Sequence, residues 1–249
     1  MLKACGGQPS AGRGAARFRA SLVTTQIAFS MTLLITAGLF IRSLVNVSTV
    51  DLGIHTENVV TFGLSPELNG YEAERTMAFF QEVERDLSAI PGVTRVTASL
   101  VPLMSGNSWG NSMAVEGFEG GHDTNTDSRM NSVGPGYFGA MGIPLIAGRE
   151  FSESDVTGAP EVVIVNEAFT KKFDLNGREA VGKCLSDEGF GSETNMQIVG
   201  VVQDATYSDV KQVAEPVFFT AYRQQDWIGW MTYYVHSELD PSQIIGAIP

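Results

Sequence analysis

Residues 58–100 read NVVTFGLSPELNGYEAERTMAFFQEVERDLSAIPGVTRVTASL, and their apolar period changes twice. From Asn58 to Pro66 the pattern alternates, with Val60, Phe62 and Leu64 on one face, so a strand is predicted. From Glu72 to Ile90 the apolar residues Met77, Phe80, Val83, Leu87 and Ile90 recur every three or four positions, the spacing of an amphipathic helix. Pro91-Gly92 stops that helix, because proline cannot continue it and glycine tolerates the turn. Alternation returns from Val93 to Leu100. The stretch is therefore a β-α-β unit.

Downstream the elements shorten. Met113–Phe118 and Arg129–Val133 read as strands. In GPGYFGAMG, residues 134–142, Pro135 is placed to begin a short helix and Gly142 to end it. Val162–Val165 reads as a buried strand. Asn166 is placed to cap a helix over Glu167–Phe173, with Glu167 suited to its first turn. Met196–Asp204, Val217–Tyr222 and Met231–His236 complete the strands. Asp240-Pro241 opens a further helix that is unfinished at Pro249, so a truncated gene product is expected.

Upstream, Ala20 to Ile41 reads ASLVTTQIAFSMTLLITAGLFI, 22 residues without a charge. As a helix it would extend about 33 Å, close to the thickness of a bilayer core. It is too long for a signal-peptide apolar region, and no clean cleavage site follows it. Cys5 has no apolar segment before it, which argues against a lipoprotein signal. Lys3, Arg13, Arg17 and Arg19 precede the span and Arg42 follows it, so the N-terminus is expected in the cytoplasm and the remainder outside. Residues 1–50 carry these five bases and no acid. The rest of the chain carries the other 11 bases and all 28 acids, within a total of −12. That balance disfavours nucleic acid as a partner, because phosphate binding needs clustered Lys and Arg. Within the span, Ser21, Thr25, Ala28, Thr32 and Thr36 fall on one small, mildly polar stripe. The stripe reads as a packing face for another transmembrane helix. The alternative is that threonine simply bonds its own backbone in lipid.

GREAVGKC, residues 177–184, nearly matches the phosphate loop G-x-x-x-x-G-K-[ST]. The context is wrong. A helix end precedes it, no helical period follows, and Cys184 replaces the hydroxyl that would ligate magnesium. A glycine turn leading into a short strand, Lys183–Leu185, is expected instead. Asp123–Asp127 copies the start of a calcium loop but has Ser128 and Gly134 where glycine and glutamate are required, so it reads as a solvated turn. His55, His122 and His236 have no companions at metal-ligand spacing. No nucleophile signature is present. No catalytic, cofactor-binding or metal-ligating set is therefore expected. Cys5 and Cys184 would face opposite sides of the membrane, which leaves Cys184 an unpaired thiol, read as buried. Trp109, Trp227 and Trp230 are placed in glycine-containing loops. They read either as a docking surface or as lids on a small core.

The ordered run AGLFIRSL, NVVTF, GYEAERTMAFFQEVERDLSAIPGV, SVGPGYFGAMGIPLIAGREF, VVIVNEAFTKKF and IVGVVQDATYS resembles the MacB/FtsX-type ABC transporter permeases, and within them the duplicated orphan permeases without a fused ATPase. The resemblance covers residues from about Arg13 onward. It implies an α+β extracytoplasmic domain behind one N-terminal transmembrane helix, with residues 1–19 cytoplasmic and 20–42 in the membrane. It further implies a Porter-like subdomain from 51–100 and 229–249, and an inserted Sabre-like subdomain from 101–228. Three later transmembrane helices of that pattern are absent from the sequence. By the same resemblance the protein sits in the bacterial inner membrane and transmits conformational change or engages substrate for export. Its implied partners are other permease helices or a second permease copy, a separate cytoplasmic ATPase and a periplasmic adaptor. The alternative reading is a single-span, membrane-anchored binding or sensor protein.

Overall fold

The computed structural model describes residues 12–48, 59–102, 109–120, 124–189, 191–205, 214–239, 243–244 and 246. Two compact units are present, residues 1–50 and 51–249. The first is a single helix, α1 (Gly12–Ser48). It extends the charge-free segment at both ends, where neither flank within the helix holds a proline. Its stretch Gly14–Val45 has mean hydropathy 1.8 and no buried share, which makes it long and apolar enough to cross a membrane.

The second unit is built on one sheet. It begins as predicted, with β1 (Val59–Leu64), α2 (Ala73–Ser88) and β2 (Val93–Ser99). The short strands β3 (Trp109–Ser112), β4 (Ala114–Val115) and β5 (Asp127–Val133) lead to α3 (Tyr137–Met141) and β6 (Leu145–Gly148). Then come β7 (Val162–Asn166), α4 (Glu167–Lys172), β8 (Cys184–Ser186), β9 (Met196–Val202), β10 (Val217–Ala221) and β11 (Met231–Ser237). The strand order is β1-β11-β2-β5-β10-β7-β9-β8-β4, with β3 on β5 and β6 on β9.

β11 lies between β1 and β2 and is antiparallel to both, so β1 and β2 run parallel on either side of it. The last strand of the chain thus completes the first β-α-β unit, and everything from β3 to β10 is inserted between its halves. α2 buries Phe80 and Leu87 against Tyr233, Val235 and Met231 of β11. In the inserted part, β5 pairs parallel with β10, and β7 parallel with β9, while β10 and β7 are antiparallel. β7 and β10 are buried at every position. Each is buried on both faces, which is why it reads as a continuous apolar run and not an alternating one. Val162, Ile164, Val217 and Phe219 face one core with α3 residues Tyr137, Phe138 and Met141. Val163, Val165 and Phe218 face the other, with Phe169 and Phe173 around α4.

The structure revises several sequence expectations. Pro135 does not open α3. Gly136, at φ 67°, is the residue before the first helical turn, a conformation that favours glycine, and Tyr137 is the first helical residue. The predicted strand Met113–Phe118 shrinks to Ala114–Val115, because a turn with Gly117 at φ 81° follows it. Trp109 is not in a loop. It begins β3, paired with Met130 of β5. β6 was not predicted. It is only four residues long, and Gly148 ends it against β9, where a Cβ would stand 2.0 Å from the Val199 carbonyl. The helix expected from Asp240 lies largely outside the described residues. At its start, Ile244 is fully buried in the α2 core.

Candidate functional site

Two features of the body can act on a partner or a ligand. The first is the joint between the β1-β11-β2 lobe and the inserted lobe. The sheet crosses this joint narrowly, through one paired position, Ser99 opposite Val133. Side chains supplement it. Asn131, almost fully buried, clasps the backbone of Val101 with both its amide atoms, at 2.9 and 3.0 Å. Within the first lobe, the Ser99 hydroxyl beside the joint meets the Tyr234 hydroxyl at 3.1 Å.

A cleft of about 580 Å³ opens beside the joint, lined by Gln81, Glu84 and Arg85 of α2 on one wall and by Gly136, Glu153 and Arg223 on the other. It continues into a neighbouring hollow where Arg95 donates to the Gly139 carbonyl at 2.7 Å. Its floor is a cluster of three side chains. Glu84 Oε2 accepts from the Tyr222 hydroxyl at 2.7 Å and from Arg223 Nη2 at 2.8 Å. The Glu84 and Arg223 side chains are 12% and 14% exposed, so the pair is nearly dry. Burial, and then the Glu84 charge, push the Tyr222 phenol well up. Burial pulls the Arg223 pKa down, but bonds to Glu84 and Tyr222 outweigh it and hold the guanidinium charged. Glu84 belongs to α2, and the other two follow β10. The cluster therefore ties the two lobes across the cleft.

The second feature is the tryptophan cluster. Trp109 at the start of β3 and Trp230 just before β11 bring their rings to 5.8 Å, tilted by 54°. Trp230 is fixed by donating its indole N–H to the Leu100 carbonyl at 3.1 Å. Trp227 and the Glu67 carboxylate both lie over Gly229, where a Cβ would touch each. Trp109 and Trp227 are half exposed, at 49% and 51%, and the adjacent Leu68 is 86% exposed. Trp230 is partly buried against the α2 core.

Other motifs noted in the sequence are engaged locally. In 177–184 the amide of Gly182 donates to the Ile198 carbonyl, that of Lys183 to the Ala180 carbonyl, and that of Cys184 to the Glu116 carboxylate. These three amides of the would-be phosphate cradle already have acceptors, one of them anionic. Near 123–127, of which Asp123 lies outside the described residues, the Lys172 ammonium bonds Asn125 Oδ1 and the Asp127 carbonyl. A cation already occupies that turn. His55, His122 and Cys5 also lie outside the described residues. Cys184 is in β8 and is only partly buried. Among the described residues no group of acids, histidines and cysteines is arranged to hold a metal ion.

His236 is the one described histidine. Its Nε2 is buried without a hydrogen-bond partner. Burial, and secondarily the nearby Arg95 charge, depress its pKa below the usual 6.5. Above pH 6.5 it is neutral in folded and unfolded chains alike. Below that, the unfolded chain binds a proton that the folded one resists, so stability falls as pH falls from about 6.5. His236→Gln is expected to flatten this limb of the stability–pH curve, measured by urea unfolding between pH 5 and 8. An unchanged slope assigns the limb to other groups.

In α1 every described side chain is exposed. The Thr32 and Thr36 hydroxyls bond the carbonyls of Ala28 and Thr32, at 2.9 and 2.8 Å. Their donors are satisfied within the helix, and the stripe of Ser21, Thr25, Ala28, Thr32 and Thr36 is left small in profile.

No curated protein matches the chain in sequence. The crystal structure of the periplasmic region of MacB from Actinobacillus actinomycetemcomitans aligns with 79% of this chain and 82% of its own, at 18% identity and a TM-score of 0.50. That likeness is one of fold. The extracellular domain of the noncanonic ABC-type transporter YknZ from Gram-positive bacteria aligns with 76% of this chain and 88% of its own, at 17% identity and a TM-score of 0.46. The family model of the MacB-like periplasmic core domain matches residues 21–247. With nearly the whole chain matched and the α+β sheet in place behind an apolar N-terminal helix, this protein belongs to the MacB-like periplasmic core domain family of ABC transporter permeases.

Proposed function

We propose that the chain is the force-relaying and docking part of an ABC transporter permease and has no catalytic activity of its own. α1 crosses the bacterial inner membrane with its N-terminus in the cytoplasm, and residues 51–249 lie outside. The stripe Ser21, Thr25, Ala28, Thr32 and Thr36 packs against other permease helices or a second permease copy. Motion generated by a separate cytoplasmic ATPase enters the body through β1. Residues 51–100 and 229–249 form the Porter-like lobe that receives it, and residues 101–228 the Sabre-like lobe that is displaced. The exposed tryptophans dock a periplasmic adaptor or another partner.

One observation carries this reading. Val59 at the start of β1 is paired with His236 near the end of β11. The start of β1 and the end of β11 therefore lie at the same end of the first lobe, on two hydrogen-bonded strands. The second lobe meets β2, which lies beside that pair, at the Ser99–Val133 position, and a displacement at the entry end would turn one lobe against the other.

The membrane part of the proposal has a direct test. With Cys5 and Cys184 replaced by serine, Thr25→Cys, Thr32→Cys and Thr36→Cys are expected to crosslink to a second transmembrane helix on oxidation. Ile27→Cys and Leu34→Cys, on the opposite face of α1, are expected not to. Equal crosslinking on both faces, or none, removes the packing face. A phosphatase fused after Pro249 is expected to be active outside the cytoplasm, and activity only in the cytoplasm would reverse the orientation. A single-span binding protein is the second reading, supported by the polar cleft between the lobes.

A further inference from the structure

We infer that the tryptophan cluster is built to take a cationic, apolar protein surface: leucine-like side chains flanked by Lys or Arg, as on a basic amphipathic helix. This deepens the docking role proposed above and rests on it.

The argument starts from exposure. Large apolar side chains left half open to water are expected to be singletons unless they serve an interface. Here Trp109 is exposed against the partly covered Trp230, Trp227 is exposed beside Gly229, and Leu68 is exposed next to Glu67, which also lies over Gly229. Tryptophan gives more contact area per immobilised torsion than almost any other side chain, which suits it to the centre of an interface. Trp230 is already locked by its indole bond to Leu100, so its ordering is complete before a partner arrives.

The occupant follows from charge. The exposed acids Glu67 and Asp226 edge the cluster; Glu67 and Trp227 both lie over Gly229, and Asp226 precedes Trp227 in the chain. Beyond residue 50 the chain holds 11 bases against 28 acids. An acidic rim around aromatic faces attracts Lys and Arg twice, through the carboxylates and through the ring faces. The same rim opposes two other occupants. A second copy would bring an identical acidic rim against it, and like charges in apposition repel. An anionic lipid surface would be repelled for the same reason. The cluster also sits at the Leu64–Met231 end of the β1–β11 pair, opposite the end at which the chain enters β1.

The test uses the full chain in phosphatidylcholine nanodiscs and two designed helical peptides, one of leucine and lysine, the other of leucine and glutamate. All three tryptophans of the chain lie in this region, so their emission reports binding directly. The lysine peptide is expected to bind at least about tenfold more tightly than the glutamate peptide. Trp227→Ser with Leu68→Ser, both exposed, is expected to lose at least about tenfold of that affinity. Glu67→Gln with Asp226→Asn is expected to lose about threefold or more and to flatten the salt dependence. Glu119→Gln with Glu193→Gln, acids exposed elsewhere, is expected to change nothing. If the glutamate peptide binds equally well and still depends on Trp227 and Leu68, the docking role stands and the cationic partner falls. If neither peptide depends on those residues, both fall. Patch-dependent binding to phosphatidylglycerol vesicles, or a dimer that Trp227→Ser with Leu68→Ser dissolves, would replace the partner protein with lipid or with a second copy and overturn the inference.

Discussion

Asn166→Ala is expected to lower the unfolding free energy of the body by about 3 kcal/mol. Asn166 is 3% exposed. Its Oδ1 accepts from the Phe169 amide at 2.9 Å, which caps α4. The same oxygen accepts from the Val217 amide at 2.9 Å, and Nδ2 donates to the Glu215 carbonyl at 2.8 Å. One side chain thus caps a helix and fixes the entry of β10, the central strand of the inserted lobe. Alanine removes the cap, worth about 1 kcal/mol, and leaves the Val217 amide buried with no acceptor from this side chain, worth about 1–3 kcal/mol. Asn166→Asp keeps the acceptor for both amides but sets a carboxylate oxygen against the Glu215 carbonyl, so a smaller loss of about 1–2 kcal/mol is expected. Urea unfolding of the full chain, followed by tryptophan emission, measures both, because α1 contains no tryptophan and stays silent. A loss below about 1 kcal/mol for alanine would mean that the strand is held without this residue. Against a typical domain stability of about 5–15 kcal/mol, a loss of 3 is large.

Asn166 also marks how far the sequence carries. Its capping role was legible, because Asn before Glu and an apolar helical run is a local signal. Its grip on β10 was not, because Val217 lies 51 residues further on and no local pattern announces it. The same division runs through the fold. β1, α2, β2, β7, β9, β10 and β11 were readable because burial on one face or on both imposes a period. β3 and β6 were not. Trp109–Ser112 reads W-G-N-S and is mostly exposed, so no burial pattern marks it as a strand. The fact that β11 completes the first β-α-β unit from the far end of the chain is a matter of topology, and periodicity is blind to it. Of the candidate interaction residues, the three tryptophans were found by type alone, and the structure brings Trp109 and Trp230 together across 121 residues of sequence. Glu84, Tyr222 and Arg223 went unnoticed. The one available signal was an acid at position 84 beside the apolar stripe of α2, four residues after Phe80, where a solvated charge would serve less well than a paired one.

Glu84→Ala is the more severe change, with an expected cost of about 3–5 kcal/mol. The cost arises less from the attraction that is lost than from what remains. The Arg223 guanidinium is charged and nearly dry, and its remaining side-chain bond, to the Tyr222 hydroxyl at 3.3 Å, does not neutralise it. Removing both partners is cheaper than removing one, so Glu84→Ala with Arg223→Ala should cost less than the sum of the singles by about 1–3 kcal/mol. Tyr222→Phe keeps the ring in the core and deletes one bond to the carboxylate, for about 1.5–3 kcal/mol. Additive singles would show that the three groups do not act as a unit. The same residues test the relay. Glu84 rides on α2, and Arg223 leads from β10 toward β11, so under the proposed relay their bond would restrain a rotation about the Ser99–Val133 position. Spin labels at positions 86 and 154, one in each lobe and both exposed, should report one distance in the parent protein with Cys5 and Cys184 replaced. A broader distribution shifted to longer distances is expected in the Glu84→Ala variant at denaturant-free equilibrium. If the distribution stays narrow while stability falls, the cluster is only structural, and the lobes move as one body.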